Sequence, residues 1–401
     1  MRPPPAPPAW ASSLLSVGIT GTNGKTSTTG MVAALLGLLT RPVARVTTLG
    51  CFLEQEKLEV PPHYEGFLET MRRCREAGGR YAALELTSEA LALGFAKAWP
   101  CRVGVFTNLT LDHSDAHGSP EHYLASKAQL FLALPSDGCA VLNACDENAQ
   151  LLGEVVLKGT ARIHYGVVSR GAARAPLDLS ATNIELSLEG TRAELVQSAR
   201  FPELPPQLEL RAIGAIFVEN ALAALGAALA LGVPAREACA TLAALAPPPG
   251  RFEIVHRAPD VIVDYAHTPD ALERTLVTAR ALCRGTLTLV FGAGGDRDRL
   301  KRPLLGAAAA AADRIVLTSD NPRSESPEAI MDEIASGMPP CRQVLREVDR
   351  ERAIERAVAG AASEDLVLIT GKGHERTQEA NGRRVPFSDV AIVRRSVKKA
   401  P

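Results

Sequence analysis

The sequence predicts an α/β protein with largely parallel sheets in two domains, and three observations predict it. Apolar strand-like runs alternate with alanine- and leucine-rich helical stretches along most of the chain. A glycine-rich turn joins the first such run to the first helix. A proline-rich break, Ala246-Pro247-Pro248-Pro249-Gly250, then divides the chain, because proline cannot continue a helix and stiffens a linker. At 401 residues the chain is also long for a single core.

In order, the segment from Gly18 to Ser27 closes the first apolar run, and Thr28 to Leu39 has helical apolar spacing. Tyr81 to Leu86, Val103 to Thr107 and Ala140 to Asn143 read as strands set among helices. From Leu177 to Leu210 the pattern turns into short alternating segments, such as Ile184-Glu185-Leu186-Ser187-Leu188, expected to be a small β insertion. Asn220 to Leu231 reads as a long alanine-rich helix. Beyond the break, Val261 to Tyr265, Thr286 to Phe291, Arg314 to Thr318 and Leu366 to Thr370 read as parallel strands of a smaller α/β unit, and Ala307 to Ala312 as helix. The expected organisation is a proline-rich segment over 1–16, a first domain over 17–246 and a second over 250–401.

Bulk properties exclude several classes. The 44 basic and 45 acidic residues nearly cancel, so nothing marks a nucleic-acid or membrane-surface partner. The apolar stretches are broken before they reach the length of a bilayer span. Met1 to Trp10 lacks the cationic segment and apolar core of a secretory signal. The eight cysteines (Cys51, Cys74, Cys101, Cys139, Cys145, Cys239, Cys283 and Cys341) form no CxxC pair and read as reduced structural thiols of a cytoplasmic protein.

The richest segment is Gly21-Thr22-Asn23-Gly24-Lys25-Thr26-Ser27. Gly21 and Gly24 let backbone N–H groups approach phosphate oxygens, Lys25 adds a point charge, and the Thr26 hydroxyl is suited to Mg²⁺. The dipole of the following helix would face the phosphates. Ile19 stands where the longer Walker pattern has glycine, so the match is to a shorter variant, TGTNGKT.

Four further clusters fall at strand ends, where an open α/β sheet places its ligands. They are Glu85-Leu86-Thr87-Ser88, Asn108 to His113, Asp264 to Asp270, and Thr370 to Glu375. With the phosphate loop and the motifs DYAHTPDAL (Asp264 to Leu272), GAGGDRDRLKRP (Gly292 to Pro303), DNPR (Asp320 to Arg323) and GKGHE (Gly371 to Glu375), the chain from about Val17 onward resembles the Mur ligases. The likeness is strongest to the MurE type, which adds the third residue to UDP-N-acetylmuramoyl-L-Ala-D-Glu in peptidoglycan synthesis. The resemblance implies a P-loop central domain that binds ATP and a Rossmann-like C-terminal domain. It further implies a carboxylate–amine ligase that passes through an acyl phosphate.

Two charge problems then have to be solved, at phosphate and at the tetrahedral carbon. By the resemblance, Lys25 and Thr26 hold the β/γ-phosphates and one Mg²⁺, Glu85 and His113 complete the metal ligation, and Lys127 is carbamylated by CO₂ to support a second Mg²⁺. Read from the residues alone, Lys127 is a solvated helix position. Asn220 matches an adenine contact, Arg251 a phosphate contact and Asp264 a ribose-hydroxyl acceptor, so that ATP would bridge two domains whose closure gates the reaction. For the amine substrate, Arg323 matches the guanidinium that reads the distal carboxylate of meso-diaminopimelate. Arg297, Asn321, Gly371 and Glu375 match the remaining contacts.

The acceptor side departs from that pattern. The family's N-terminal UDP-binding domain, roughly a hundred residues, has no counterpart in the residues before Val17. Pro61-Pro62-His63 replaces a pair of threonines before proline, and Glu89 and Phe95 stand for a histidine and an arginine. Ile216 and Phe217 stand for a phenylalanine and an asparagine, while Ser88 is retained. Two expectations follow: an acceptor without the nucleotide, such as a peptide or glutamyl group, or a separate protein that supplies the missing domain. The alternative of another class is a nucleotide-binding scaffold without turnover.

Overall fold

The computed structural model describes residues 4–110, 119–168, 173–339 and 343–399. By internal contacts the chain forms two compact units. One comprises Met1–Glu185, Thr191–Arg211 and Ala215–Leu245, and the other Leu186–Gly190, Ala212–Gly214 and Ala246–Pro401.

Eleven strands form the sheet of the first unit: β1 (Leu15–Thr20), β2 (Val43–Thr47), β3 (Gly50–Leu53), β4 (Glu56–Lys57), β5 (Tyr81–Glu85), β6 (Val103–Phe106), β7 (Cys139–Asn143), β8 (Ala161–Val167), β9 (Leu179–Ser187), β10 (Gly190–Val196) and β11 (Gln207–Leu210). Their order is β11-β10-β9-β8-β7-β6-β1-β5-β2-β3-β4. The central run from β2 to β9 is parallel. Its strands are covered on both faces, which is why β6 and β7 are buried at every position and read as continuous apolar runs. β9 and β10 instead alternate buried and exposed positions along their outer halves, as a strand with one wet face does. The segment expected as an insertion therefore continues the main sheet: β9 pairs in parallel with β8, and β10 pairs antiparallel with β11.

The helix Lys25–Leu36 follows the glycine loop, and Ala215–Ala230 supplies the alanine-rich packing expected there. A core of Phe67, Met71, Leu84, Leu91, Trp99, Phe106, Leu130, Phe131 and Leu142 closes one side of the sheet.

The sheet of the second unit runs β12 (Glu253–His256), β13 (Asp260–Val263), β17 (Leu366–Ile369), β14 (Leu287–Phe291), β15 (Arg314–Leu317), β16 (Gln343–Arg346) in spatial order. All of its pairs are parallel except β12 with β13. A separate hairpin joins β18 (Thr377–Ala380) to β19 (Arg383–Pro386). The alanine run expected as helix is the end of the Lys301–Ala308 helix followed by one 3₁₀ turn, Ala309–Ala311. Among the described residues no helix is long and apolar enough to cross a membrane. The seven described cysteines are all free thiols, and Cys341 lies outside the described residues.

One buried ion pair ties this unit together. Arg350 and Asp389 are both fully buried and bonded through two parallel contacts, Nε to Oδ1 at 2.9 Å and Nη2 to Oδ2 at 2.8 Å. The same guanidinium donates to the carbonyls of Thr370 and Ser319, just past β17 and β15. Removing one member of such a pair strands a buried charge, whereas replacing both with apolar groups does not. Arg350→Met is therefore expected to cost about 3–5 kcal/mol in urea unfolding, and Arg350→Met/Asp389→Leu clearly less. A double variant worse than the single would refute this role.

Candidate active site

The phosphate loop leaves β1 at Thr20 and enters the Lys25–Leu36 helix at Gly24, whose φ of +85° is left-handed. A Cβ there would stand 2.3 Å from Asn220 Oδ1, so only glycine fits between the loop and that buried side chain. No side chain caps the helix, so its first N–H groups stay available to an anion. The loop is strapped from the end of β6. The Asn108 carboxamide accepts from Asn23 N–H at 2.9 Å and donates to Asn23 O at 3.1 Å, and Thr107 Oγ1 donates to the same carbonyl at 2.7 Å. Thr22 reaches Tyr123 Oη at 3.3 Å, and Ser27 is buried on the first helical turn.

Two lysines converge on this loop. Lys25 Nζ donates to the carbonyls of Gly21 at 3.0 Å and Thr22 at 2.8 Å. Lys127 Nζ donates to the same Gly21 carbonyl at 2.9 Å and lies 4.1 Å from the centre of the Tyr123 ring. Lys127 is thus 1% exposed, which corrects the reading of it as a solvated helix residue. Its helix, Pro120–Leu132, is capped by Ser119 and turns this face inward.

Glu85 ends β5 and accepts from Thr26 Oγ1 at 2.9 Å; Thr48 contributes longer contacts through its N–H and hydroxyl. A hydroxyl beside a carboxylate is hard-oxygen chemistry suited to Mg²⁺, which takes one or two protein carboxylates and completes its shell with water and phosphate. Among the described residues there is no group of three or more His, Cys, Asp or Glu that could hold a metal ion. His113 and Asp112 lie outside the described residues. Ser88 opens a short helix capped by Thr87 and is buried.

Phe95 does not stand alone. Its ring packs edge-on against Phe67 at 5.0 Å and Tyr64 at 6.1 Å, and Phe67 packs in turn on Trp99. Where the resemblance has an arginine, this chain has an apolar wall, and the buried Tyr64 hydroxyl has no hydrogen-bond partner among the described residues.

In the second unit, Arg251 lies over the Tyr265 ring at 4.4 Å, and the rings of His267 and His374 flank Tyr265. Burial, together with the Arg251 charge, pushes the His374 imidazolium below its ordinary range. The Asp264 carboxylate is largely engaged by the fold: it accepts from the N–H groups of Phe252 and Ala266 at 2.7 Å each, and from Thr275 Oγ1 at 3.3 Å.

The segment after β15 carries Asn321 and Arg323. Arg323 has φ +52°, an uncommon conformation for a side-chain-bearing residue, held by two backbone bonds to the hairpin, to Glu379 O and from Asn381 N–H. Its Nη1 donates to Gly295 O at 2.6 Å and Nε lies 3.9 Å from Glu379 Oε2, which leaves Nη2 without a hydrogen bond among the described residues. Arg297 is exposed on the loop after β14. That loop is tied to the residues just after Arg323 by the buried Arg302, which donates to Gly294 O and bonds Glu325 and Glu333, and by Asp296, which accepts from Ser324. Arg302 holds the Glu325 carboxyl down to about 2.

After β17, Gly371 takes φ +110°, and a Cβ there would meet Asp320 Oδ2 at 2.4 Å. Glu375 follows, bonded to Asn321 Nδ2 at 3.0 Å and to Lys372 Nζ at 2.8 Å. Lys372 and Asn108 carry no role in the sequence reading, although both lie inside motifs it quotes.

Comparisons with known proteins show the family and the fold. The family described as Mur ligase middle domain matches residues 19–228, and the Mur ligase glutamate ligase domain matches residues 250–373. The UDP-N-acetylmuramoyl-L-alanyl-D-glutamate–2,6-diaminopimelate ligase of Thermosynechococcus vestitus is 39% identical over 403 residues, covering 98% of this chain and 78% of that protein. The enzyme of the same name from Alkalilimnicola ehrlichii is 41% identical over 380 residues, covering 93% and 74%. A solved structure of a UDP-N-acetylmuramoyl-L-alanyl-D-glutamate–2,6-diaminopimelate ligase aligns with TM-score 0.67 at 32% identity, over 96% of this chain and 78% of the other. Mycobacterium tuberculosis folylpolyglutamate synthase, complexed with ADP and AMPPCP, shares the fold at TM-score 0.73 and 20% identity, over 98% and 92%.

A charge-assisted hydrogen bond is worth about 1.5–3 kcal/mol. Lys25→Met is therefore expected to weaken nucleotide binding by about ten- to a hundredfold in calorimetric titration. Unchanged affinity would refute the phosphate assignment.

Proposed function

The chain belongs to the Mur ligase family, and from that premise we infer that it is an ATP-dependent ligase of the MurE type, joining diaminopimelate to UDP-N-acetylmuramoyl-L-Ala-D-Glu. The observation that carries the nucleotide half of this reading is the meeting of Lys25 and Lys127 on the Gly21 carbonyl. We assign residues 17–246 to nucleotide and acceptor chemistry and 250–401 to the amino acid, acting in the cytoplasm.

ATP, when bound, supplies the phosphoryl group that turns the acceptor carboxylate into an acyl phosphate. Gly21 to Ser27 would cradle its phosphates through backbone N–H groups, with Lys25 moving from the loop carbonyls to the phosphate oxygens. Thr26 and Glu85 would hold Mg²⁺, with His113 as a further ligand. Lys127, as its neutral amine, would add CO₂ and release a proton, giving a carbamate able to serve a second Mg²⁺. Asn220, Arg251 and Asp264 would take adenine, phosphate and ribose, and Ser88 the acceptor.

Arg323 would grip the distal carboxylate of diaminopimelate, with Arg297, Asn321, Gly371 and Glu375 as the remaining contacts of the amino acid. Support comes from the exposure of Arg297 and the uncommitted Nη2 edge of Arg323. A second reading keeps the chemistry and changes the acceptor. The packing of Phe95 on Phe67 and Tyr64, at the position where the resemblance has an arginine, favours an acceptor without the nucleotide.

ADP release that depends on meso-diaminopimelate, measured with wild type in the presence of UDP-N-acetylmuramoyl-L-Ala-D-Glu or of the UDP-free acceptors, tests the ligase reading; nucleotide binding with no such release from any of these acceptors would favour a scaffold. In the same assay Arg323→Ala is expected to raise KM for diaminopimelate far more than KM for ATP. An equal effect on both, or none, would overturn the assignment of Arg323.

A further inference from the structure

Lys372, a side chain with no surface exposure, lies in the loop after β17 and reaches across to the segment after β15. Its Nζ donates to Glu375 Oε2 at 2.8 Å and to Asn321 Oδ1 at 3.0 Å. Asn321 Nδ2 donates to the same Glu375 oxygen at 3.0 Å, and Asn321 Oδ1 also accepts from Glu379 N–H at 3.0 Å. Two donors therefore take one oxygen of Glu375, and among the described residues none takes the other. The Asn321 carboxamide is spent on the same task, since its oxygen already serves two donors. A fully buried ammonium is costly unless its acceptors are fixed in place, and here the acceptors come from both loops.

We propose that Lys372 is a positioning residue of the amino-acid site, holding Glu375 by Oε2 so that Oε1 remains to accept from an ammonium group of the incoming amino acid, the one that does not attack the acyl phosphate. This rests on the reading of Glu375 as a contact of that substrate and adds the group that acts through it.

The electrostatics have a definite sign. Burial opposes the ionised form of Glu375, but the bond and charge of Lys372, the bond of Asn321 and the charge of His374 outweigh it, so the carboxyl is held below its ordinary value. Other charged groups about this cluster include Asp320, Arg350 and Asp389 and, through His374, Arg251 and Arg376. Asp320 is buried and held above its ordinary value by that burial, against Arg350 and Lys372. Arg350 is paired with Asp389, and Arg376 contributes to the field at His374. Without the Lys372 ammonium, Glu375 protonates at higher pH. Its grip on an ammonium substrate is then lost earlier as the pH falls.

The test is kcat/KM for meso-diaminopimelate and KM for ATP across the acid-to-neutral range, in wild type, Lys372→Met, Glu375→Gln and the double variant. Lys372→Met is expected to raise KM for diaminopimelate about tenfold or more, leave KM for ATP unchanged, and move the acid limb of the diaminopimelate profile to higher pH. Adding Lys372→Met to Glu375→Gln is expected to do little more than Glu375→Gln alone, because the group it acts through is already neutral. This comparison also decides the matter if Lys372→Met alone folds poorly. An unmoved acid limb, equal rises in both KM values, or additive losses in the double variant would make Lys372 a structural strut and overturn the proposal. Wild type without diaminopimelate-dependent ADP release would instead overturn the substrate reading on which it rests.

Discussion

Parallel pairing is the constraint from which the rest of this structure follows. Parallel strands need crossover connections, so their carboxyl ends collect along one edge of the sheet and their loops carry the polar groups. The phosphate loop follows β1, Glu85 ends β5, and Thr107 and Asn108 follow β6. In the second unit Asp264, Arg297, Asn321 and Gly371 follow β13, β14, β15 and β17. Strand register brings each of these groups close to its neighbours.

Loops grouped at strand ends still need fixing, and this chain fixes them with buried cations. Lys127 holds the Gly21 carbonyl, Arg350 holds the carbonyls of Ser319 and Thr370, Arg302 clamps the loop after β14, and Lys372 ties Asn321 to Glu375. A buried cation is a demanding fastener, because every lost partner leaves charge in a low-dielectric setting. The same demand makes the loop geometry reproducible, which a site that must orient a carboxylate and an amine requires.

Local pattern made much of this legible. The strands expected at Tyr81 to Leu86 and Leu366 to Thr370 end within a residue of those observed, since buried parallel strands are continuous apolar runs with abrupt polar ends. The glycine loop was legible because phosphate binding demands particular residues at fixed spacing. What local pattern cannot carry is a partner far away in sequence. Lys127 sits in an unremarkable helical turn, and its burial depends on a carbonyl 106 residues earlier. The alternation of β9 and β10 was visible, but their attachment to β8 was a matter of sheet order. Lys372 was legible as a letter of a motif, while its two acceptors became evident only with the loops in place.

The central claim is that this chain makes an amide bond from a carboxylate, an amine and ATP, and product mass tests it most directly. The reaction would contain ATP, Mg²⁺, meso-diaminopimelate and UDP-N-acetylmuramoyl-L-Ala-D-Glu, run beside matched mixtures with UDP-free muramoyl-dipeptide and free L-Ala-D-Glu. The account predicts the tripeptide mass from the nucleotide acceptor together with ADP. Product from the UDP-free acceptors alone would transfer the activity to the second reading. ADP with no amide product from any acceptor would contradict the account.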